Sequence, residues 1–121
     1  MTPGERFATA FAAKDRAGLR DVLAEDVDFL GLTPGRHWEA STVDDLLAIL
    51  LGTWVEDRDR VDELVYVQAG DDVVDTHRVA YRLALTTPAG PHVMEQQAYY
   101  RTDGDRITYL RVMCSGFRPT S

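Results

Sequence analysis

Apolar positions repeat every three or four residues through most of the first half of the chain and every second residue from Val61 onward, which predicts helices followed by strands. Thr2-Pro3-Gly4-Glu5 has the capping-box spacing, a hydroxyl and a carboxylate three residues apart that satisfy free amides, with Pro3 suited to the first helical position. A helix is expected from about Pro3 to Ala13, with Phe7 and Phe11 one turn apart on its apolar side. Asp15 is placed to cap a second, short helix whose Leu19, Val22 and Leu23 point one way. Val27 to Leu32 reads as a first strand, ended by the breakers of Thr33-Pro34-Gly35. Ser41 and Thr42, followed by Asp44 and Asp45, start a third helix carrying Leu46, Leu47, Ile49, Leu50, Leu51 and Trp54. So apolar a helix has to be covered on most sides. The charged run Glu56 to Arg60 reads as a solvated loop.

Three turn signals, Ala69-Gly70-Asp71-Asp72, Thr87-Pro88-Ala89-Gly90-Pro91 and Thr102-Asp103-Gly104-Asp105, divide the remainder into strands at roughly 61–68, 72–86, 92–102 and 105–117. Helices first and a strand meander afterwards predict an α+β domain, an antiparallel sheet curling over helices on one face. A two-residue turn at Asp103-Gly104 sets Gln97 opposite Leu110, Glu95 opposite Val112, Val93 opposite Cys114 and Tyr99 opposite Thr108. One face then carries Val93, Glu95, Gln97, Tyr99, Leu110, Val112 and Cys114, and the other Met94, Gln96, Ala98, Tyr100, Ile107, Tyr109, Arg111 and Met113. Both are substantially apolar, and one set of helices covers only one, so the outer face is a candidate homodimer interface. For the preceding strand two registers stay open. A turn at Ala89-Gly90 sends Arg82 to the inner face; one extra residue or a bulge sends His77 and Tyr81 there instead, sparing the burial of unpaired arginines.

The length of 121 residues suits one domain spanning 1–121. A net charge of −7 argues against nucleic acid and anionic lipid surfaces as partners, and no apolar run is long enough to span a membrane. The single Cys114 and the absence of a secretion signal in the first residues lead to the expectation of a cytoplasmic protein. His37, His77 and His92 are dispersed, Asp71-Asp72 with Asp75 lacks the spacing of a calcium loop, and there is no Gly-rich phosphate cradle, so no metal or cofactor is expected.

Arg6-Phe7 through Lys14-Asp15, Leu19 through Val27, Thr33-Pro34-Gly35 and the late pair Tyr99 through Ile107 stand in an order and spacing covering nearly the whole chain. In that order the sequence resembles the nuclear transport factor 2-like superfamily, in particular its SnoaL-like and ketosteroid-isomerase-like branch. The resemblance implies a cone-shaped α+β fold, with a curved antiparallel sheet wrapped over three helices of the N-terminal half, an enclosed pocket and a homodimer through the outer sheet face. It also places the isomerase's helix-one tyrosine at Phe7, its aspartate base at about Gly31 and its second acid at Gln97. None of these can fill the role, so steroid isomerisation by that constellation is not expected.

Other residues offer chemistry. His77 with Asp75 two positions away on one strand face suits acid–base work, and Glu95 beside Val112 and Leu110 is a candidate base with a raised pKa. Gln97 and Tyr99 are suited to orienting a ligand without charge, with Tyr81, Leu110, Val112 and Cys114 as further lining. Trp38 and Trp54 are candidates for the pocket mouth. The favoured reading is a protein binding a small, partly hydrophobic or cyclic molecule; the alternatives are an acid–base enzyme of the polyketide cyclase, isomerase or hydratase type using His77 with Asp75 or Glu95, and a non-catalytic dimerisation module. The sequence leaves open whether the protein is an enzyme.

Overall fold

The structure, a computed structural model, describes residues 1–120. Local chemistry fixes the helix starts. Helix α1 (Pro3–Ala12) begins with the expected reciprocal cap, in which the Thr2 amide donates to Glu5 Oε1 at 2.8 Å and the Glu5 amide donates to Thr2 Oγ1 at 3.1 Å. Asp15 caps α2 (Arg16–Val22) by accepting from the Gly18 amide at 2.9 Å. Thr42 caps α3 (Val43–Ile49) in the same way through the Asp45 amide, at 3.2 Å. The last helix does not stop at Ile49. It continues as a π-helical turn over Leu50–Trp54, closed by the Val55 amide on the Leu50 carbonyl, and Leu50, Leu51 and Trp54 are all buried.

The strands are β1 (Leu23–Thr33), β2 (Arg36–Ala40), β3 (Arg60–Ala69), β4 (His77–Thr87), β5 (Gly90–Asp103), β6 (Arg106–Cys114) and the short β7 (Arg118–Pro119). They form one curved, open sheet in the order β2-β1-β6-β5-β4-β3, with β7 added to β5. It is mixed, not purely antiparallel: β6 lies parallel to β1, because the chain returns to β1 only after the rest of the meander. Strand β2 was not anticipated. It pairs with β1 across a two-residue turn, Pro34-Gly35, with Gly35 at φ 77. Strand β4 starts at His77 and not at residue 72, since residues 73–76 close a tight turn with Val74 at φ 56.

The register of the late strands corrects the expected face assignment. The β5–β6 turn falls at Gly104-Asp105, and between the pairs Thr102–Ile107 and Arg101–Tyr109 residue Thr108 is extra. This bulge reverses the parity of β6 against β5. Gln96, Ala98 and Tyr100 therefore share the inner face with Cys114, Val112 and Leu110, while Glu95, Gln97 and Tyr99 lie on the outer face. The β4–β5 turn at Pro88-Ala89 puts Tyr81 opposite Gln96 and Arg82 opposite Glu95. Tyr81 thus points inward as the second of the two open registers had it, but the bulge responsible lies in β6 and not in the Pro-rich loop.

Helices and inner sheet face meet in one core. Phe7 and Phe11 stack at 6.1 Å and both meet the ring of Tyr81 edge-on, at 6.2 and 6.5 Å. At one end of the inner face His77, Tyr100, Leu110 and Phe29 follow one another across four strands; at the other, toward the Pro88 turn, come Met94 and then His92. The first end is packed shut by α1, where a Cβ on Gly4 would sit 2.5 Å from the Tyr100 ring. The second is open.

Candidate functional site

The open end holds a cleft of about 570 Å³ between the π-helical turn, the loop after it, the β4–β5 turn and the chain after β6. Trp38, Trp54, Met94, Phe117 and Cys114 give it apolar walls, and His92, Thr53, Glu56, Arg58 and Asp59 supply polar groups around them. Trp54 meets Phe29 at 5.8 Å and Trp38 edge-on at 6.3 Å. Its position depends on Gly31, where a Cβ would come within 2.7 Å of the Phe29 ring and 2.8 Å of the Trp54 ring. The indole therefore occupies the space a side chain at 31 would need.

The loop after the π-helical turn corrects another expectation. The run Glu56 to Arg60 is not simply solvated: Asp59 is 5% exposed, and its carboxylate accepts from the Glu56 amide at 2.9 Å. Lys14, at the end of α1, donates to the Glu56 carbonyl at 2.8 Å and also to the Asp59 carbonyl. One wall of the cleft is thereby tied to the first helix. His92 donates from Nδ1 to the Gly90 carbonyl at 2.8 Å and packs against Phe117 at 6.1 Å, so Nε2 is the ring nitrogen free of that bond.

Three of the residues proposed from sequence, Trp38, Trp54 and Cys114, come together in this cleft. Tyr81 and Leu110 do not; both are sealed in the core, and Val112 is buried on the inner face between Gly31 and Ala98. The Tyr81 hydroxyl donates to Gln96 Oε1 at 2.6 Å, and burial pushes its pKa well above the usual phenol value, with Cys114 nearby acting in the same direction. Gln97 and Tyr99 are on the outer face, so neither reaches the cleft, and the amide that faces inward is Gln96.

The expected acid–base group is not assembled. His77 bonds through Nδ1 to Asp72 at 2.9 Å, not to Asp75, and sits at the closed end of the sheet beside Tyr100. Asp75 is exposed and pairs with Arg101 at 3.7 Å. Glu95 lies on the outer face, where the Tyr66 hydroxyl and then the Arg82 guanidinium hold its carboxyl below the usual range, the reverse of the raised pKa expected of a base. His92, Met94, Phe117 and Asp59 were missed as site residues. The alternation of β5 carries a signal for the first two: Met94, Ala98 and Tyr100 form its more apolar face, and His92 shares it.

A second concavity, about 900 Å³ and so larger than the cleft, runs over the outer sheet face. Leu32, Met113 and Gln97 form one row across it, and Leu30, Arg111 and Tyr99 the next. Leu30, Leu32, Tyr99 and Met113 are exposed, Met113 by 59%.

Three helices against a curved, open mixed sheet of seven strands make a nuclear transport factor 2-like fold, as the comparison with solved structures shows. No protein-family profile matches the sequence, and no curated protein does. Solved structures do. A LEH-like epoxide hydrolase from Mycobacterium tuberculosis superposes with a TM-score of 0.66 at 15% identity, over 93% of this chain and 80% of that one. A protein from Mesorhizobium loti, provisionally named a SnoaL-like polyketide cyclase, gives 0.65 at 17% identity over 93% and 98%. A protein with a ketosteroid isomerase-like fold from Catenulispora acidiphila, solved with trimethylamine, gives 0.68 at 15% identity over 95% and 88%. At these identities the likeness is one of fold. Among the described residues no helix is long and apolar enough to cross a membrane, and no three His, Cys, Asp or Glu side chains are grouped to hold a metal.

Proposed function

We propose that this chain is a SnoaL-like binding protein that takes up a small, partly hydrophobic molecule in the cleft at the wide end of the cone. The observation supporting this is the cleft itself: aromatic and sulfur-bearing walls from Trp38, Trp54, Phe117, Met94 and Cys114, with polar groups at its edge. An apolar concavity with a few convergent polar groups is the usual form of a small-molecule site. His92 Nε2 serves as an acceptor for a ligand hydroxyl or amide. Thermal-shift and native mass spectrometric screening with cyclic and polyketide-like compounds tests the proposal. A bound species lost in Phe117→Ala supports it; a species bound equally well by that variant, or none across the panel, contradicts it.

The outer face supports a second proposal, that it seats a second copy of this chain. Its exposed apolar side chains, Leu30, Leu32, Tyr99 and Met113, stand around Arg111, which pairs with Asp28 at 3.3 Å, and near the Arg82–Glu95 pair at 2.8 Å. A two-fold dimer uses the same patch on both copies, and a face whose charges are paired within the chain brings no net like-charge repulsion to such a seam.

A further inference from the structure

Among the described residues, Trp54 Nε1 is the one buried side-chain nitrogen or oxygen without a hydrogen-bond partner, and the whole residue is only 7% exposed. A sealed donor with no acceptor weakens the folded state, so the packing around Trp54 is held against an opposing term. Trp38, the other indole, follows the usual rule by donating to Thr33 Oγ1 at 2.8 Å. The Trp54 ring is wedged above Gly31, with Phe29 at 5.8 Å and Trp38 at 6.3 Å. That seat needs residue 31 to have no side chain, since a Cβ there would stand 2.8 Å from the Trp54 ring.

The backbone that carries Trp54 is irregular as well. Leu50–Trp54 make a single π-helical turn, a conformation that recurs at functional sites. Within it Gly52 and Thr53 are exposed, and a Cβ on Gly52 would meet nothing within 4 Å. Both ends are anchored: Leu50 and Leu51 are buried at the start, Val55 is buried just after, and Lys14 ties down the next loop through the Glu56 and Asp59 carbonyls. Freedom is thereby confined to Gly52, Thr53 and the Trp54 side chain. Of the two rings over Gly31, Trp54 lines the cleft and Phe29, 1% exposed, does not. Only Trp54 has a place to go. The cleft's 570 Å³ is in the range that holds a drug-sized molecule, and Thr53, Thr87 and Glu56 bring oxygen-bearing side chains to its lining.

We infer that Trp54 is a gate with two positions. In the closed one its indole fills the seat over Gly31 and walls the cleft; in the open one the ring turns out through the cleft, its N–H gains water or an oxygen of the lining, and the seat is vacated. Two terms set the balance. Burial of the ring between Phe29 and Trp38 favours closing, and the unpaired N–H favours opening. The structure has the gate closed, so the open position is the minor member of the pair. The cleft therefore has a shallow and a deep form, and a molecule that needs the deep form binds only the open fraction. The gate is a property of the free protein and does not depend on the binding reading above.

The test is hydrogen exchange and needs no ligand. The protein has two tryptophans, hence two indole N–H signals in a ¹⁵N-labelled sample, assigned with Trp38→Phe. The reference is the amides of Tyr81 and Leu83, buried on β4 and paired with a strand on each side. The Trp54 indole proton is expected to carry about 100-fold less protection than these amides, and its exchange to be unchanged by dilute urea, because a local opening exposes little surface. Gly31→Ala, whose Cβ crowds the closed seat alone, is expected to lower that protection by about a further tenfold. In a Trp38→Phe background the same change is expected to shift the emission of Trp54 to the red. Should Gly31→Ala not fold, the wild-type exchange decides. A Trp54 proton as protected as the two β4 amides overturns the gate, and so does a folded Gly31→Ala with unchanged protection.

Discussion

Tyr81 shows how much of this molecule depends on single polar contacts within apolar surroundings. Its hydroxyl is the partner of the Gln96 carbonyl, both groups are out of water, and three aromatic rings converge on the same spot. Replacing Tyr81 by Phe keeps the ring and strands the amide oxygen, so urea denaturation is expected to show a loss of about 1–3 kcal/mol. Glu95, on the opposite face, gives a prediction with a sign. Its carboxyl titrates below the ordinary value of about 4.3 because Tyr66 and Arg82 favour the charged form. A depressed folded pKa contributes stability that is present above the unfolded value and lost as pH falls through the folded one. Stability curves of the wild type and Glu95→Gln are therefore expected to converge as pH falls below about 4.3, and parallel curves would show that the interactions with Tyr66 and Arg82 do not favour the carboxylate.

At the scale of elements, what could be read from sequence was what neighbours in sequence decide. Thr2 with Glu5, Asp15 and Thr42 marked the three helix starts because each cap lies within three residues of its partner. The face assignment of β5 failed because one residue, Thr108, resets it after the turn has been formed. A trace of that bulge is present in the sequence, since the apolar Ile107 and Leu110 are three apart, and a regular strand cannot bury both on one face as the structure does. Asp59 was misread for another reason. The group that orders its loop is Lys14, 45 residues away, and no local pattern reports such a contact. The bulge yields a prediction: deleting Thr108 would turn Leu110, Val112 and Cys114 to the outer face relative to β5, so loss of cooperative folding is expected by circular dichroism. Thr108→Ala, which keeps the extra residue, is expected to fold and to stay within about 1 kcal/mol of the wild type.

For the whole molecule, the fold was legible where the site was not. The order of helices, turn and strands pointed to an α+β domain with helices on one face of the sheet, and the structure has that form, three helices against a curved, open sheet that is mixed and not purely antiparallel. The site depended on register, and two of its proposed ligand-orienting groups, Gln97 and Tyr99, instead line the outer groove with Met113. If this face seats a second copy, light scattering will give a dimer for the wild type. Met113→Lys, which adds a second, unpaired positive charge beside the Asp28-paired Arg111, is expected to shift it to monomer without changing the far-ultraviolet spectrum, whereas a monomeric wild type would remove the dimer proposal.

Two concavities now compete for any small molecule, one inside the mouth of the cone and one across the outside of the sheet. Backbone amide shifts followed during titration with a bound cyclic compound from the screen separate them directly. The account predicts that the largest changes fall on Trp54, His92, Met94 and Phe117, with Leu32, Gln97 and Met113 unmoved; changes concentrated on the latter group would contradict it.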